Sequence, residues 1–166
     1  RALLPGTSLA GALRSYVSEC SEGYAELGRK RASGDEVKHL RNAGKRLFGG
    51  DKGKDYEAQG ALIIDEALGG LPRIELRDGV RIDPASRSAY MESRNGKQRG
   101  FKYDLELLEP GTTFDLQFEL LLPKDGDAEM LSVLALALDG LAKGEIGIGL
   151  RKRRGFGRCK VAEWGV

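Results

Sequence analysis

Gly147-Ile148-Gly149-Leu150-Arg151-Lys152-Arg153-Arg154-Gly155-Phe156-Gly157-Arg158 is the stretch on which the reading of this chain turns. Four consecutive basic residues stand between two Gly-x-Gly pairs. Glycine lets backbone N–H groups approach phosphate oxygens with no Cβ in the way, and clustered Arg adds charge-assisted, often bidentate contacts. Three familiar phosphate loops fail on spacing. A Walker loop reads GxxxxGK[ST], and no Lys-Ser or Lys-Thr follows Gly155. A Rossmann turn joins a strand to a helix near the start of a unit, whereas this loop lies between a helical stretch and a terminal strand-like one. A kinase glycine loop lacks its catalytic-loop partners here. The plain alternative, a flexible connector with incidental charge, accounts poorly for four basic residues in a row.

Positive charge gathers in two further places. Residues 29–54 hold nine Lys or Arg, among them Arg29, Lys30, Arg31, Arg41, Lys45 and Arg46, against three acids. Residues 86–102 hold Arg87, Arg94, Lys97, Arg99 and Lys102 against Glu92, and residues 151–160 hold six basic residues and no acid. The whole chain has 27 Lys plus Arg and 25 Asp plus Glu, a net of +2. The three stretches therefore carry a net of +16 and the remainder −14. An acidic body with three basic stretches suits a polyanionic partner, although any single run is more often a solvated face.

The 166 residues suggest one domain able to bury a sizeable core. Hydrophobic residues at 40% and charged residues at 31% fit a globular protein and argue against disorder. No apolar run reaches the roughly 18 residues of a membrane span, so no membrane partner is expected and a cytoplasmic location is the default. Cys20 and Cys159 are too few for a disulfide framework, and with His39 they offer no metal-ligand spacing. Glycine, with 24 residues, is about twice as frequent as usual.

Along the chain, Ala2 to Leu4 reads as the end of a strand and Pro5-Gly6 as a turn. Thr7 or Ser8 then caps a helix carrying Leu9, Leu13, Tyr16 and Val17 at helical spacing. Tyr24 and Leu27 extend it, and 28–34 is a basic connector. Ser33 or Asp35 caps a second helix with Val37, Leu40 and Leu47-Phe48, ended by Gly49-Gly50 and followed by a polar loop over 51–59. Ala61 to Asp65 is a buried strand. Ile74 to Leu76 and Val80 to Ile82 are strand segments about an Asp78-Gly79 turn. The polar, basic span 83–100 is expected to project as a hairpin or long loop. Phe101 to Leu108 and Thr112 to Leu122 form a β-hairpin through Glu109-Pro110-Gly111. A long helix then presents Met130, Leu131, Leu134, Leu138 and Leu141, with Ala135 and Ala137 close to a sheet. Arg158 to Trp164 alternates as a last strand. The order is α+β and suits one antiparallel sheet with helices on one face, as in ferredoxin-like and RNA-recognition (RRM-like) folds. One strand should precede the first helix, and with Arg1 in place of an initiator Met the chain reads as short of its beginning.

On these residues the chain resembles the RAMP (repeat-associated mysterious protein) superfamily. Gly149 to Val161 is similar to its glycine-rich loop, and Leu4-Pro5-Gly6-Thr7-Ser8-Leu9-Ala10-Gly11-Ala12-Leu13-Arg14 to its first-helix signature. Leu47-Phe48-Gly49 and Ala61 to Ala67 follow in the family's order. Gly79-Val80-Arg81-Ile82-Asp83 with Ala89, then Glu109-Pro110-Gly111-Thr112 with Phe114, resemble the start of the thumb segment and the strand pair after it in type III backbone subunits. The resemblance implies a single ferredoxin-like palm over 1–166 with a thumb inserted at 83–100. Such subunits of CRISPR effector complexes stack along a guide RNA (crRNA) and hold target RNA. Neighbouring RAMP subunits and other effector subunits are the implied protein partners.

The RNA-binding candidates are Ser8 and Arg14 at the first helix and Arg151, Lys152, Arg153, Arg154 and Arg158 in the loop. Arg81, Arg87, Arg99 and Lys102 are the thumb candidates. Ala10 stands where many family members carry Lys, so that contact is lost here or supplied elsewhere. Tyr90 and Met91 suit wedging between bases, and Phe156 suits stacking or packing under the loop. The resemblance also implies a rival reading, a metal-dependent endoribonuclease cutting target RNA or guide precursor with Mg or Mn. Its catalytic Asp would stand upstream of Arg1, so no catalytic or metal-ligating residue is assigned in this chain. Asp35 and His39, at i and i+4, make the one imaginable acid–base pair, and plain solvation is the commoner meaning of such a pair.

Overall fold

The computed structural model describes residues 1–22, 35–50, 59–95, 97–100 and 102–165. Among the described residues the elements run in the order β1 (Leu3–Leu4), α1 (Gly6–Glu22), α2 (Asp35–Phe48), β2 (Leu62–Ile64), β3 (Ala67–Leu68), β4 (Ile74–Val80), β5 (Met91–Arg94), β6 (Lys97–Gly100), β7 (Lys102–Leu108), β8 (Phe118–Leu120) and α3 (Ala128–Ala142). The expected extension at Tyr24 and Leu27, the connector 28–34 and most of the 51–59 loop lie outside the described residues. So do Arg29, Lys30 and Arg31. The chain forms two compact units, one of Leu3–Ala67 with Asp115–Val166, the other of Arg1–Ala2 with Leu68–Phe114.

In the first unit the three helices share one apolar cluster. α1 buries Leu9, Ala12, Leu13 and Val17, and α2 buries Ala43 and Leu47. α3 buries Met130, Val133, Ala137, Gly140 and Leu141. The buried face of α3 is thus rotated from the one its leucines suggest: Leu131 is 44% exposed, and the small residues Ala137 and Gly140 lie inside. Close approach of neighbouring helices selects small side chains over bulky ones at these points. β2 and β8 pair antiparallel, and Leu62, Leu120, Ile64 and Phe118 pack on the helices from their shared face. Leu9, Leu13, Leu47 and Val133 are fully buried, each contributing about 1.5–3 kcal/mol.

The second unit is built on β4 and β7, antiparallel over seven residue pairs from Ile74↔Leu108 to Val80↔Lys102. The Asp78-Gly79 turn is not formed, since 74–80 is one continuous strand. Gly79 stands opposite Tyr103, whose ring occupies its missing side chain: a Cβ there would meet the ring at 2.1 Å. β5 and β6 form an antiparallel hairpin with pairs Met91↔Gly100 to Arg94↔Lys97.

The expected hairpin of 101–108 with 112–122 is also not formed. β7 pairs with β4, and β8 pairs with β2. The Pro110-Gly111 turn redirects the chain, because the apolar alternation Leu116, Phe118, Leu120 serves the helical core while β7 completes the longer ladder with β4. In place of one sheet the described residues form four two-stranded sheets, β1 with β3, β2 with β8, β4 with β7 and β5 with β6. After Arg158 the expected last strand is reduced to a single bridge, Gly147↔Arg158, and Cys159 and Val161 insert into the core instead. Among the described residues no helix is long and apolar enough to cross a membrane.

Candidate nucleic-acid interface

The basic loop grows out of the end of α3. Gly144, at φ +73°, donates its N–H to the Leu141 carbonyl at 3.1 Å, and the Glu145 N–H reaches Gly140 at 3.0 Å. This pair of bonds closes the helix in a Schellman motif and turns the chain sharply inward. Ile146 follows, 3% exposed in the core. The Ile148 N–H donates to the Gly157 carbonyl at 2.9 Å, and Gly147 bridges Arg158, closing the neck. Gly157 has φ +69°, and a Cβ there would stand 1.8 Å from the Ile148 carbonyl oxygen. Both conformation and space therefore require glycine.

Ile148, Cys159 and Val161 pack against the core from the two legs of the loop. Burial pushes the Cys159 thiol pKa up. With its legs anchored by apolar side chains, the loop presents Lys152, Arg154 and Arg158 exposed and Arg151 half-buried. Arg151 adopts φ +59° and leads into a single 3₁₀ turn, Lys152–Arg154, ended by Gly155 at φ +83°. The Arg154 and Gly155 N–H groups donate to the Arg151 and Lys152 carbonyls at 2.8 and 2.9 Å. At these two positions the N–H groups of the expected backbone cradle are used to shape the loop. The Arg153 side chain lies outside the described residues. Phe156 is half-buried.

In the same unit, α1 begins at Gly6, not at a Thr7 or Ser8 cap. The Pro5 carbonyl accepts the Ser8 and Leu9 N–H groups at 3.0 and 3.3 Å. Gly6 permits this start, since a Cβ would lie 2.0 Å from the Ile64 carbonyl oxygen. Ser8 is exposed in the first turn, at the positive end of the helix dipole, and Arg14 is exposed further along. Tyr16, read from the sequence only as an apolar position of the first helix, ties α1 to the base of the loop together with Gly140 and Glu145. The Tyr16 hydroxyl donates to the Glu145 carboxylate, and its ring lies where a Cβ on Gly140 would meet it at 2.3 Å. That hydrogen bond, with some desolvation and the neighbouring Cys20, pushes the Tyr16 pKa well above the ordinary phenol range. A glycine in the last turn of the leucine-rich helix α3 was the one available signal.

The other candidates belong to the second unit. The Arg81 guanidinium lies 4.4 Å above the Tyr90 ring, and the Tyr90 N–H donates to the Arg81 carbonyl at 2.7 Å. Asp83 organises the next turn, its Oδ1 accepting the Ala85 and Ser86 N–H groups at 2.7 and 3.2 Å. Arg87 follows at φ +54°, exposed. Lys102 is held by Asp78 at 3.1 Å, which raises the Lys102 pKa and lowers that of Asp78. Arg99 is on β6, its side chain outside the described residues.

Part of the 29–54 charge is internal. Arg46 grips Asp127 at 2.8 and 3.1 Å and Glu129 at 3.0 Å, clamping α2 to the start of α3. These bonds, the one to Asp127 first, raise the Arg46 pKa. His39 faces Glu129 at 3.2 Å, so its observed carboxylate partner is on α3. The Asp35 side chain lies outside the described residues. Among the described residues no group of three or more His, Cys, Asp or Glu gathers to hold a metal ion.

No curated protein matches the chain. The model of the RAMP superfamily matches residues 1–160, and so takes in the first helix, the Glu109-Pro110-Gly111 turn and the whole basic loop. This chain, with its core-anchored basic loop, belongs to the RAMP superfamily of CRISPR-associated, RNA-binding proteins.

Proposed function

We propose that the chain is a guide-RNA-binding backbone subunit of a type III CRISPR interference complex. It assembles along the guide with neighbouring RAMP subunits and other effector subunits, and positions target RNA. The observation that carries this reading is the basic loop, held by apolar legs in the core with Lys152, Arg154 and Arg158 outside. Binding that follows a single strand through its phosphates requires positive charge at a defined place and little base readout. Ser8 and Arg14 belong to the same unit. Residues 83–100, with the β5–β6 hairpin, are the segment we assign as the thumb, and Arg81, Arg87, Arg99 and Lys102 as its contacts. Cleavage of target or precursor would draw on Mg or Mn and an Asp outside this chain. Among the described residues no group of three or more His, Cys, Asp or Glu gathers, and we assign no cleavage step to them.

Replacing Arg151, Lys152, Arg153 and Arg154 together by Ala tests the reading. Guide-RNA affinity should fall steeply, and the slope of log K against log salt should become shallower by about 3. Binding that survives with an unchanged slope removes the loop from the interface.

A further inference from the structure

The second unit contains an open hollow of about 250 Å³, lined by Arg73, Glu109, Leu71, Pro110 and the backbone of Gly70 and Gly111. Arg73 and Glu109 are neighbours across the end of the β4–β7 ladder, where the Glu109 N–H donates to the Arg73 carbonyl at 3.0 Å. Opposite charges placed so would ordinarily close into an ion pair. Among the described residues neither side chain has a charged partner, and both face the same hollow. Leu71, 90% exposed, adds an uncovered apolar surface beside them.

A carboxylate in the hollow opposes a phosphate, so the arrangement suits a flat, neutral group with separate donor and acceptor edges. Among the nucleobases guanine alone has a two-donor edge, N1–H with N2–H₂, beside a two-acceptor edge, O6 with N7. A carboxylate accepts bidentately from the first, and a guanidinium donates bidentately to the second. Leu71 and Pro110 supply apolar surface for the ring. We infer that this hollow binds an unpaired guanine base, Glu109 reading its N1/N2 edge and Arg73 its O6/N7 edge. The base comes from single-stranded RNA, which rests on the RNA-binding reading above, or from a free guanine mononucleotide.

The test uses the full chain and short uridine oligonucleotides with one central guanosine, inosine or adenosine, read by fluorescence anisotropy. GMP and AMP are titrated in parallel by NMR. The guanosine oligonucleotide should bind about tenfold more tightly than the other two, inosine lacking the 2-amino donor. Glu109→Gln should abolish that preference while leaving affinity for the adenosine oligonucleotide unchanged. Should that variant not fold, Arg73→Gln, which removes the paired donors, should show the same loss. Selectivity for GMP over AMP without guanosine preference in RNA would assign the hollow to a free mononucleotide. If no RNA binds, the backbone-subunit reading falls and the hollow is judged on GMP against AMP. Equal affinity for guanine and adenine in both formats overturns the inference.

Discussion

Asp127 serves two partners with one carboxylate. Its Oδ1 accepts the Met130 N–H at 2.9 Å and so caps α3, while both oxygens hold Arg46 of α2. Arg46 first, and the Met130 N–H second, hold its pKa below the usual carboxylate range. A depressed folded-state pKa contributes stability that is complete above the unfolded value of about 4 and is lost as pH falls through the folded one. Asp127→Asn keeps a capping acceptor but loses the charge. It should melt a few degrees below the parent at neutral pH, with the gap closing in acid as the carboxylate protonates. Thermal melts at neutral and acid pH check this, and a gap that persists in acid would mean that the charge contributes nothing. A turn before the last helix was legible from Lys124-Asp125-Gly126, but the capping bond and its Arg46 partner were not. Arg46 is 81 positions away from Asp127, and only tertiary packing brings the two together.

Among the elements, glycine was the residue most easily misjudged. Gly79 looked like half of a turn, and in the fold it is a strand residue whose empty side chain receives Tyr103. Gly140 does the same for Tyr16 within α3. Gly140→Ala raises intrinsic helix propensity, yet it drives a methyl group into the Tyr16 ring and displaces the hydroxyl from Glu145. The substitution should destabilise by about 1–3 kcal/mol in the parent. In a Tyr16→Ala background it should become stabilising by up to ~1 kcal/mol. A double-mutant cycle in urea reads the difference, and additive effects would mean that the two residues do not meet. Gly49, by contrast, was read correctly as a stop: it follows α2 at φ +92°, its N–H on the Lys45 carbonyl at 2.9 Å.

The molecule's charge divides into residues paired within the chain and residues that we propose meet RNA. Arg46 belongs to the first group, and Arg14, Lys152 and Arg158 are exposed without an ion pair among the described residues. Arg46→Ala should therefore lower thermal stability and leave RNA affinity within about twofold, while Arg158→Ala should do the reverse. Parallel melts and binding titrations separate the two, and equal effects on affinity would show that Arg46 faces RNA as well. Helix positions, the β2 strand and the basic loop could be read from the order of residues, because each follows from local periodicity, turn chemistry or a run of like charge. The pairing of β7 with β4 and of β8 with β2, the seating of Gly140 under Tyr16, the bond from Tyr16 to Glu145 and the hollow between Arg73 and Glu109 could not. Each joins residues far apart in the chain, and the packing of side chains selects them with no mark on local sequence.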